Sequence, residues 1–407
     1  MTQTAEPQTG PVHFDPFSED FYNGPYETYR RMRDEAPVYY DETYGFYAIT
    51  RHEDVLAAFR DTETYSSSHG IDLEMVLSDS PPPVPLVIML DPPEHRTMRS
   101  LVNRVFTPNA VKKLEPMVRE TISRFLSQCD PSGFDVVQDF SALFPVEVIA
   151  TMLGVPEEFR QQVRLWLDKS LERKPGEMAT PPEGMEAAIA SGLMYYELIQ
   201  KRRAEPQDDM ISALIAANVP REDGSEAVLD DAEIAGFASL LGGAGAETVT
   251  KLIGNAAVVF GERPELWERL RNNRDLVPDA IEELLRYEAP AQYMVRYSLK
   301  ESTLHGVTIP AGKPVVLIPA AANRDERAFK DPDVFNLDRP RDEAVNIGFG
   351  YGIHSCLGAA LARMESAIAL NMLLDFMPRF EVDRAGCHRV SMTNVSGWHN
   401  VPVKVLP

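Results

Sequence analysis

A chain of 407 residues with 44% hydrophobic and 25% charged side chains reads as a globular protein with ample core, and by length alone as one large domain or two or three. Its net charge of −22 argues against nucleic acid and anionic membrane surfaces as default partners. Three cysteines, Cys129, Cys356 and Cys387, make no disulfide framework, and their odd number fits a reducing compartment.

Residues 1–11 carry no basic segment ahead of an apolar one, so no signal peptide is expected. No run of about 18 apolar residues is evident, so no membrane span is expected either, and the expected location is the cytoplasm. Residues 1–20 read as a flexible tail. From Pro37 to Thr50, Val38, Tyr40, Phe46, Ala48 and Ile49 around Gly45 predict a hairpin. Thr50-Arg51-His52-Glu53 then reads as a capping box opening a helix through Arg60. Residues 66–93 are irregular. Helical periodicity runs from about 94 to 288, broken at 131–133 and around 174–184. Short strands follow at 295–299, 307–309 and 314–319, with β character again near 401–405. With no repeat or composition shift, residues 21–407 are expected to form one large domain, mainly α with small β-sheets.

Several motifs lie on this frame. Asp91-Pro92-Pro93-Glu94-His95-Arg96-Thr97-Met98-Arg99 opens a helix with prolines near its first turn, and the spacing of His95 and Arg99 puts them on one face. His95 to Leu114 holds five Arg/Lys residues and no acid, by default a solvated face. Leu229 to Phe260 predicts the longest helix, about 32 residues or roughly 48 Å, capped by Asp230 or Asp231. At its middle, Gly242, Gly243 and Gly245 each cost ~1 kcal/mol relative to alanine, and close packing against a neighbour is the plain account. A nucleotide-binding loop is rejected, because Thr248 stands where a third glycine belongs and no strand precedes it. Glu283 and Arg286 share a helix face, alone an ordinary surface pair. Finally, Phe349-Gly350-Tyr351-Gly352-Ile353-His354-Ser355-Cys356-Leu357-Gly358 sets a cysteine in a glycine-rich loop before a helix-forming run to Phe376. Unpaired N–H groups and the helix dipole there favour a metal-binding thiolate. The glycines let the backbone approach something flat.

That last stretch resembles the haem-binding signature of the bacterial cytochrome P450 family, F-x-x-G-x-H-x-C-x-G. The resemblance implies haem b, with Cys356 as axial iron ligand, His354 pairing with a propionate, and Phe349, Gly350, Gly358 and Ala244 beside the macrocycle. Leu241 to Thr248 resembles the family's A-G-x-E-T element, where the central helix opens over the haem. It implies Thr248 as hydrogen-bond donor to dioxygen and Glu247 in proton delivery, with Gly242-Gly243 read as added room. Glu283, Arg286 and Arg339 resemble the family's E-x-x-R network, a structural device. His95, Arg99 and Arg296 match positions that bind propionates. These motifs occur in family order across residues ~25 to 405, and imply the P450 fold.

The implied activity is a haem-thiolate monooxygenase that inserts one atom of O2 into a C–H bond. The family position of Val87, Leu240, Gly243, Ala244, Gln292, Met294 and Val395 implies a mostly apolar pocket, with Gln292 and Tyr293 for a polar contact. A small to medium hydrophobic substrate follows. Electrons are expected from NAD(P)H through a ferredoxin reductase and a ferredoxin, docking at Arg104, Lys112 and Lys113 on a monomer. A peroxide-driven peroxygenase and a non-catalytic haem or gas-sensing protein are the alternatives, and the Glu247-Thr248 pair speaks against both.

Overall fold

The alternation from Val38 to Ile49 does form a hairpin. In the computed structural model, which describes residues 10–78, 86–103, 105–220 and 226–407, β1 (Val38–Asp41) pairs antiparallel with β2 (Phe46–Ile49). Gly45 sits between them at φ +72°, a conformation that costs glycine nothing. The expected capping box is not made. Helix α1 (His52–Ala58) has Arg51 at its N-cap with no side-chain bond, and the Asp325 carboxylate instead accepts from the His52 N–H at 2.9 Å. A tertiary partner thus satisfies one of the first-turn N–H groups that have no partner within the helix. The two-residue strand β3 (Tyr65–Ser66) follows.

The helical stretch then comprises α2 (Glu94–Asn103), α3 (Pro108–Leu126), α4 (Phe144–Leu153), α5 (Glu157–Leu171), α6 (Pro182–Ala204), the 31-residue α7 (Asp231–Gly261) and α8 (Val277–Tyr287), among shorter pieces. It is less uniform than the periodicity predicts. Gly133–Asp135 is a strand, and Asn218–Pro220 pairs antiparallel with Glu226–Val228. Helix α7 starts with a true capping box: Glu233 N–H donates to the Asp230 carboxylate at 2.8 Å, and Asp230 N–H to the Glu233 carboxylate at 2.8 Å. It runs through the largest core cluster, with α4, α5, α6 and the C-terminal helix α9 (Ala359–Phe376) packed around it. A helix buried on most sides has to be apolar on most sides.

Strands β4 (Met294–Ser298) and β5 (Pro314–Leu317) complete a five-stranded sheet in the order β1-β2-β5-β4-β3. β5 lies parallel to β2, with Val316 opposite Ala48, and antiparallel to β4, with Val316 opposite Val295. Two expectations fail. The tail is ordered well before residue 20: Phe14 and Phe17 are buried, and Ser18 caps a helix over Glu19–Asn23. An 18-residue window long and apolar enough to cross a membrane does exist, Val136–Leu153, but 72% of it is buried inside the fold. Its apolar character belongs to the core.

Candidate functional site

Between β5 and α9 the glycine-rich loop folds back on itself, the Cys356 N–H donating to Phe349 O at 2.8 Å. Gly350 and Gly352 stand at φ +67° and +71°. At Gly352 a Cβ would collide with the Phe59 carbonyl, so that position also needs glycine for space. Beside Gly358 a Cβ would meet nothing within 4 Å. Cys356 is accessible yet set deep among protein atoms, the combination of a side chain lining an internal cleft. Burial pushes its thiol above the ordinary value, against the Gly358 N–H, Arg99 and Arg363. Desolvation raises the thiol, while the Gly358 N–H and the two guanidinium groups favour the thiolate.

Around the thiol the fold gathers bases. His95, buried on α2, meets His354 edge-on with ring centroids 4.4 Å apart. Arg99, one turn on, donates to Ser355 O at 2.5 Å. Arg296, on β4, is 9% exposed and donates to Val295 O at 2.8 Å. Burial pulls Arg296 down to about 10. Burial, then Arg296, His95 and Arg99, pull His354 down to about 3, with Leu90's backbone opposing weakly. Neither ring nitrogen of His354 nor Nε2 of His95 makes a hydrogen bond of ordinary geometry. Among the described residues, no carboxylate forms an ion pair with Arg99 or Arg296; Asp91 acts on Arg296 only through longer-range attraction. Buried cations and orphaned donors in one place call for an anion.

The roof is α7. Leu240, Ala244 and Thr248, four residues apart, form an accessible stripe on a helix whose neighbouring positions 241, 242, 246, 247, 249 and 250 are buried. Thr248 Oγ1 donates to Ala244 O at 3.1 Å and the helix is unbroken, so the expected opening is not present. The glycines serve packing rather than room. A Cβ on Gly242 would collide with the Tyr195 hydroxyl of α6, on Gly243 it would lie 3.1 Å from Leu167 of α5, and on Gly245 3.0 Å from Ile149 of α4. Three glycines admit three helices.

Glu247 is turned away from that stripe. Its carboxylate lies 2.6 Å from Lys251 Nζ, with side chains only 5% and 4% exposed. On α5, Asp168 is bonded to Arg164 at 3.0 Å, and burial together with the Glu247 charge holds it up at about 6. Lys251 is legible as i+4 from Glu247, but its importance was not; Asp168, from another helix, carries no signal in the sequence. The Glu283 network is as expected. Arg286 grips Glu283 with two bonds of 2.8 Å, and Arg339 Nε reaches the same carboxylate at 3.1 and 3.2 Å.

The pocket residues divide. Val87 is buried in the cluster that holds α7, while Met294 and Val395 are half-buried, Val395 bridging to Ala291. Gln292 does not line a cleft: it is 1% exposed, hydrogen-bonded to the Tyr29 hydroxyl at 3.3 Å and to Ala289 O at 2.7 Å. Tyr293 is equally buried, against Phe21. The Gln292 amide is spent on core carbonyl and phenol partners, which is why the polar contact expected of this pair fails. Gly243 faces Leu167. Lys112 and Lys113 are exposed on α3, and Arg104 lies outside the described residues.

The orphaned nitrogens and guanidinium groups fit a flat dianion, and the thiol beside open space at Gly358 fits a metal at its centre. Haem b joins both properties in one molecule, so the cleft is that of a haem-thiolate protein. A cytochrome P450 family model matches residues 185–405. The chain is 38% identical to the putative cytochrome P450 123 of Mycobacterium tuberculosis over 96% of either chain. It is 36% identical to the erythromycin C-12 hydroxylase of Saccharopolyspora erythraea over 87% of each. The crystal structure of CYP109E1 from Bacillus megaterium in complex with testosterone superposes with a TM-score of 0.84 at 32% identity, covering 94% of this chain and 98% of that one. The chain belongs to the cytochrome P450 family: it is a bacterial P450 monooxygenase whose cofactor is haem b.

Proposed function

We propose that Cys356 is the axial ligand of the haem iron, that His95, Arg99, Arg296 and His354 hold its propionates, and that the protein hydroxylates a small to medium hydrophobic molecule. The observation that carries this reading is the conjunction of an accessible thiol with buried bases that have no acid to pair with. Bound there, haem b supplies oxygen insertion into a C–H bond, yielding a hydroxylated product and water. Arg99 and Arg363 favour the thiolate at Sγ of Cys356. Propionate oxygens give His95 and His354 acceptors, and Arg99 and Arg296 counter-charges. The Thr248 hydroxyl, now donating to Ala244 O, reaches the cleft by rotating about χ1, one hydrogen bond exchanged for another. Glu247 moves a proton only when its carboxylate leaves Lys251 Nζ, and Asp168, an acid that burial and the Glu247 charge hold up at about 6, is the group beside it from which a proton returns. Gly350 and Gly358 leave space for the macrocycle, and Phe349, under the Arg363 guanidinium at 4.6 Å, packs the loop beneath it.

Leu240, Ala244, Val87, Met294 and Val395 make an apolar lining, which suits the testosterone and erythromycin named for relatives. Electrons come from NAD(P)H by way of a ferredoxin reductase and a ferredoxin. A basic patch at Lys112 and Lys113 on a protein of charge −22 supports docking of an acidic iron–sulfur partner there. The test is the reduced, carbon-monoxide-treated protein: a strongly red-shifted Soret band in the wild type, abolished in Cys356→Ser. A spectrum unchanged by that substitution overturns the assignment. Product formed with a surrogate ferredoxin pair, and not with peroxide alone, settles the electron route.

A further inference from the structure

The outer face of α6 carries an apolar stripe that the chain itself leaves uncovered. Met185, Ile189, Leu193 and Tyr196 are 55%, 63%, 59% and 48% exposed, four of the eleven large apolar side chains exposed among the described residues. Scattered exposed apolar groups are ordinary; four on one helix face are not. Ala188 is exposed beside them, and a Cβ on Gly192 would meet nothing within 4 Å. The opposite face, with Ala187, Tyr195, Leu198 and Ile199, is buried. Positions 185, 189, 192 and 196 advance by four, three and four residues, the spacing of a helix–helix seam.

The stripe is also complementary to itself. Reflected about the midpoint between residues 190 and 191, Met185 falls opposite Tyr196, Ala188 opposite Leu193, and Ile189 opposite Gly192. On the seam the bulky Ile189 thus meets the small Gly192, and Met185 sets a thioether against the Tyr196 ring, while Leu193 and Ala188, about 140° apart round the helix, flank it on opposite sides. Only an antiparallel copy of the same helix, related by a two-fold axis, matches residue i with residue j in this way. Glu183 and Lys201 lie about 140° round the helix from Tyr196, outside the seam, and the reflection brings Glu186 within two residues, ~3 Å along the axis, of the copy's Glu197, so the contact is expected to tighten as salt screens these acids. A lipid surface fits poorly, since the flanks are the acids Glu183, Glu186 and Glu197 rather than the bases of an interfacial helix.

We propose that α6 is the interface of an antiparallel two-fold homodimer. The partner would press on the outer side of a helix whose inner side puts the Tyr195 hydroxyl against Gly242 in the site's roof. Sedimentation velocity of the full-length, haem-loaded protein up to about 100 μM is expected to show a reversible monomer–dimer equilibrium. Ile189→Glu, at an exposed position that leaves the core intact, is expected to raise the dissociation constant at least ~100-fold by burying a charge at the centre of the contact, with the reduced carbon-monoxide spectrum unchanged. Mixing Met185→Cys protein with Tyr196→Cys protein is expected to give an oxidative cross-link between the two that neither gives alone above the wild-type background. A chain that stays monomeric, a dimer indifferent to Ile189→Glu, a Met185→Cys protein that cross-links to itself, or wild-type monomers that float with phosphatidylcholine vesicles would each overturn the proposal.

Discussion

Removing the charge of Lys251 while keeping its length tests the buried pair above the cleft. In Lys251→Met the stem still lies against Gly397, where a Cβ would crowd that of residue 251 at 2.6 Å. Glu247, 3% exposed, is left without the cation 2.6 Å away. A lone carboxylate there costs several kcal/mol, so taking up a proton is the cheaper course. At pH 7 that uptake costs about 1.4 kcal/mol for each unit above the ordinary glutamate value of about 4.3, or roughly 3.7 kcal/mol. Relief of the desolvation borne by the lysine offsets part of this, leaving a net loss of about 2–4 kcal/mol. The variant's native state then holds a proton that its unfolded chain has shed. Its deficit therefore shrinks as the pH falls, by about 2 kcal/mol between pH 7 and pH 5.5. Adding Glu247→Gln removes the acid and recovers most of the loss. Equilibrium urea unfolding by circular dichroism, on both single variants and the double, reads these values. A deficit equal at the two pH values, or no recovery in the double variant, refutes the reasoning.

Three further outcomes are expected. Asp168→Asn removes an acid that burial holds up at about 6; the native state penalises its ionised form, so the variant gains about 1–3 kcal/mol on wild type as the pH rises from 4 to 7, and urea midpoints that move in parallel contradict this. Gly242→Ala is expected to lose about 0–2 kcal/mol, helix propensity working against collision with the Tyr195 hydroxyl, but to stabilise the helix by up to ~1 kcal/mol once Tyr195→Phe removes that oxygen; a double-mutant cycle with no coupling argues against the packing role. Arg296→Leu is expected to weaken haem retention ~10–100-fold through a lost charge-assisted bond, measured by transfer of haem to apomyoglobin, and unchanged transfer removes Arg296 from the propionate set.

What the sequence determined by itself was whatever neighbouring residues decide among themselves. The β1–β2 hairpin follows from alternation around Gly45, the start of α7 from the Asp230 and Glu233 caps, and the Cys356 loop from glycines within ten residues of one another. The basic site was partly legible as well, since His95 and Arg99 are one helical turn apart. The tertiary structure decided what depends on partners remote in the chain. Asp325 took the His52 N–H at the start of α1, Tyr29 claimed Gln292 from the pocket, and Lys251 took Glu247 away from the cleft. It also gave Gly242, Gly243 and Gly245 their purpose, because each answers to a different helix. Desolvation is likewise set by the whole fold: local dipoles favour a thiolate at Cys356, while the depth of protein around it acts in the opposite direction. Local propensity acts over one or two turns, whereas burial and pairing sum over every segment that reaches the same point, and no order of residues along the chain encodes that sum directly.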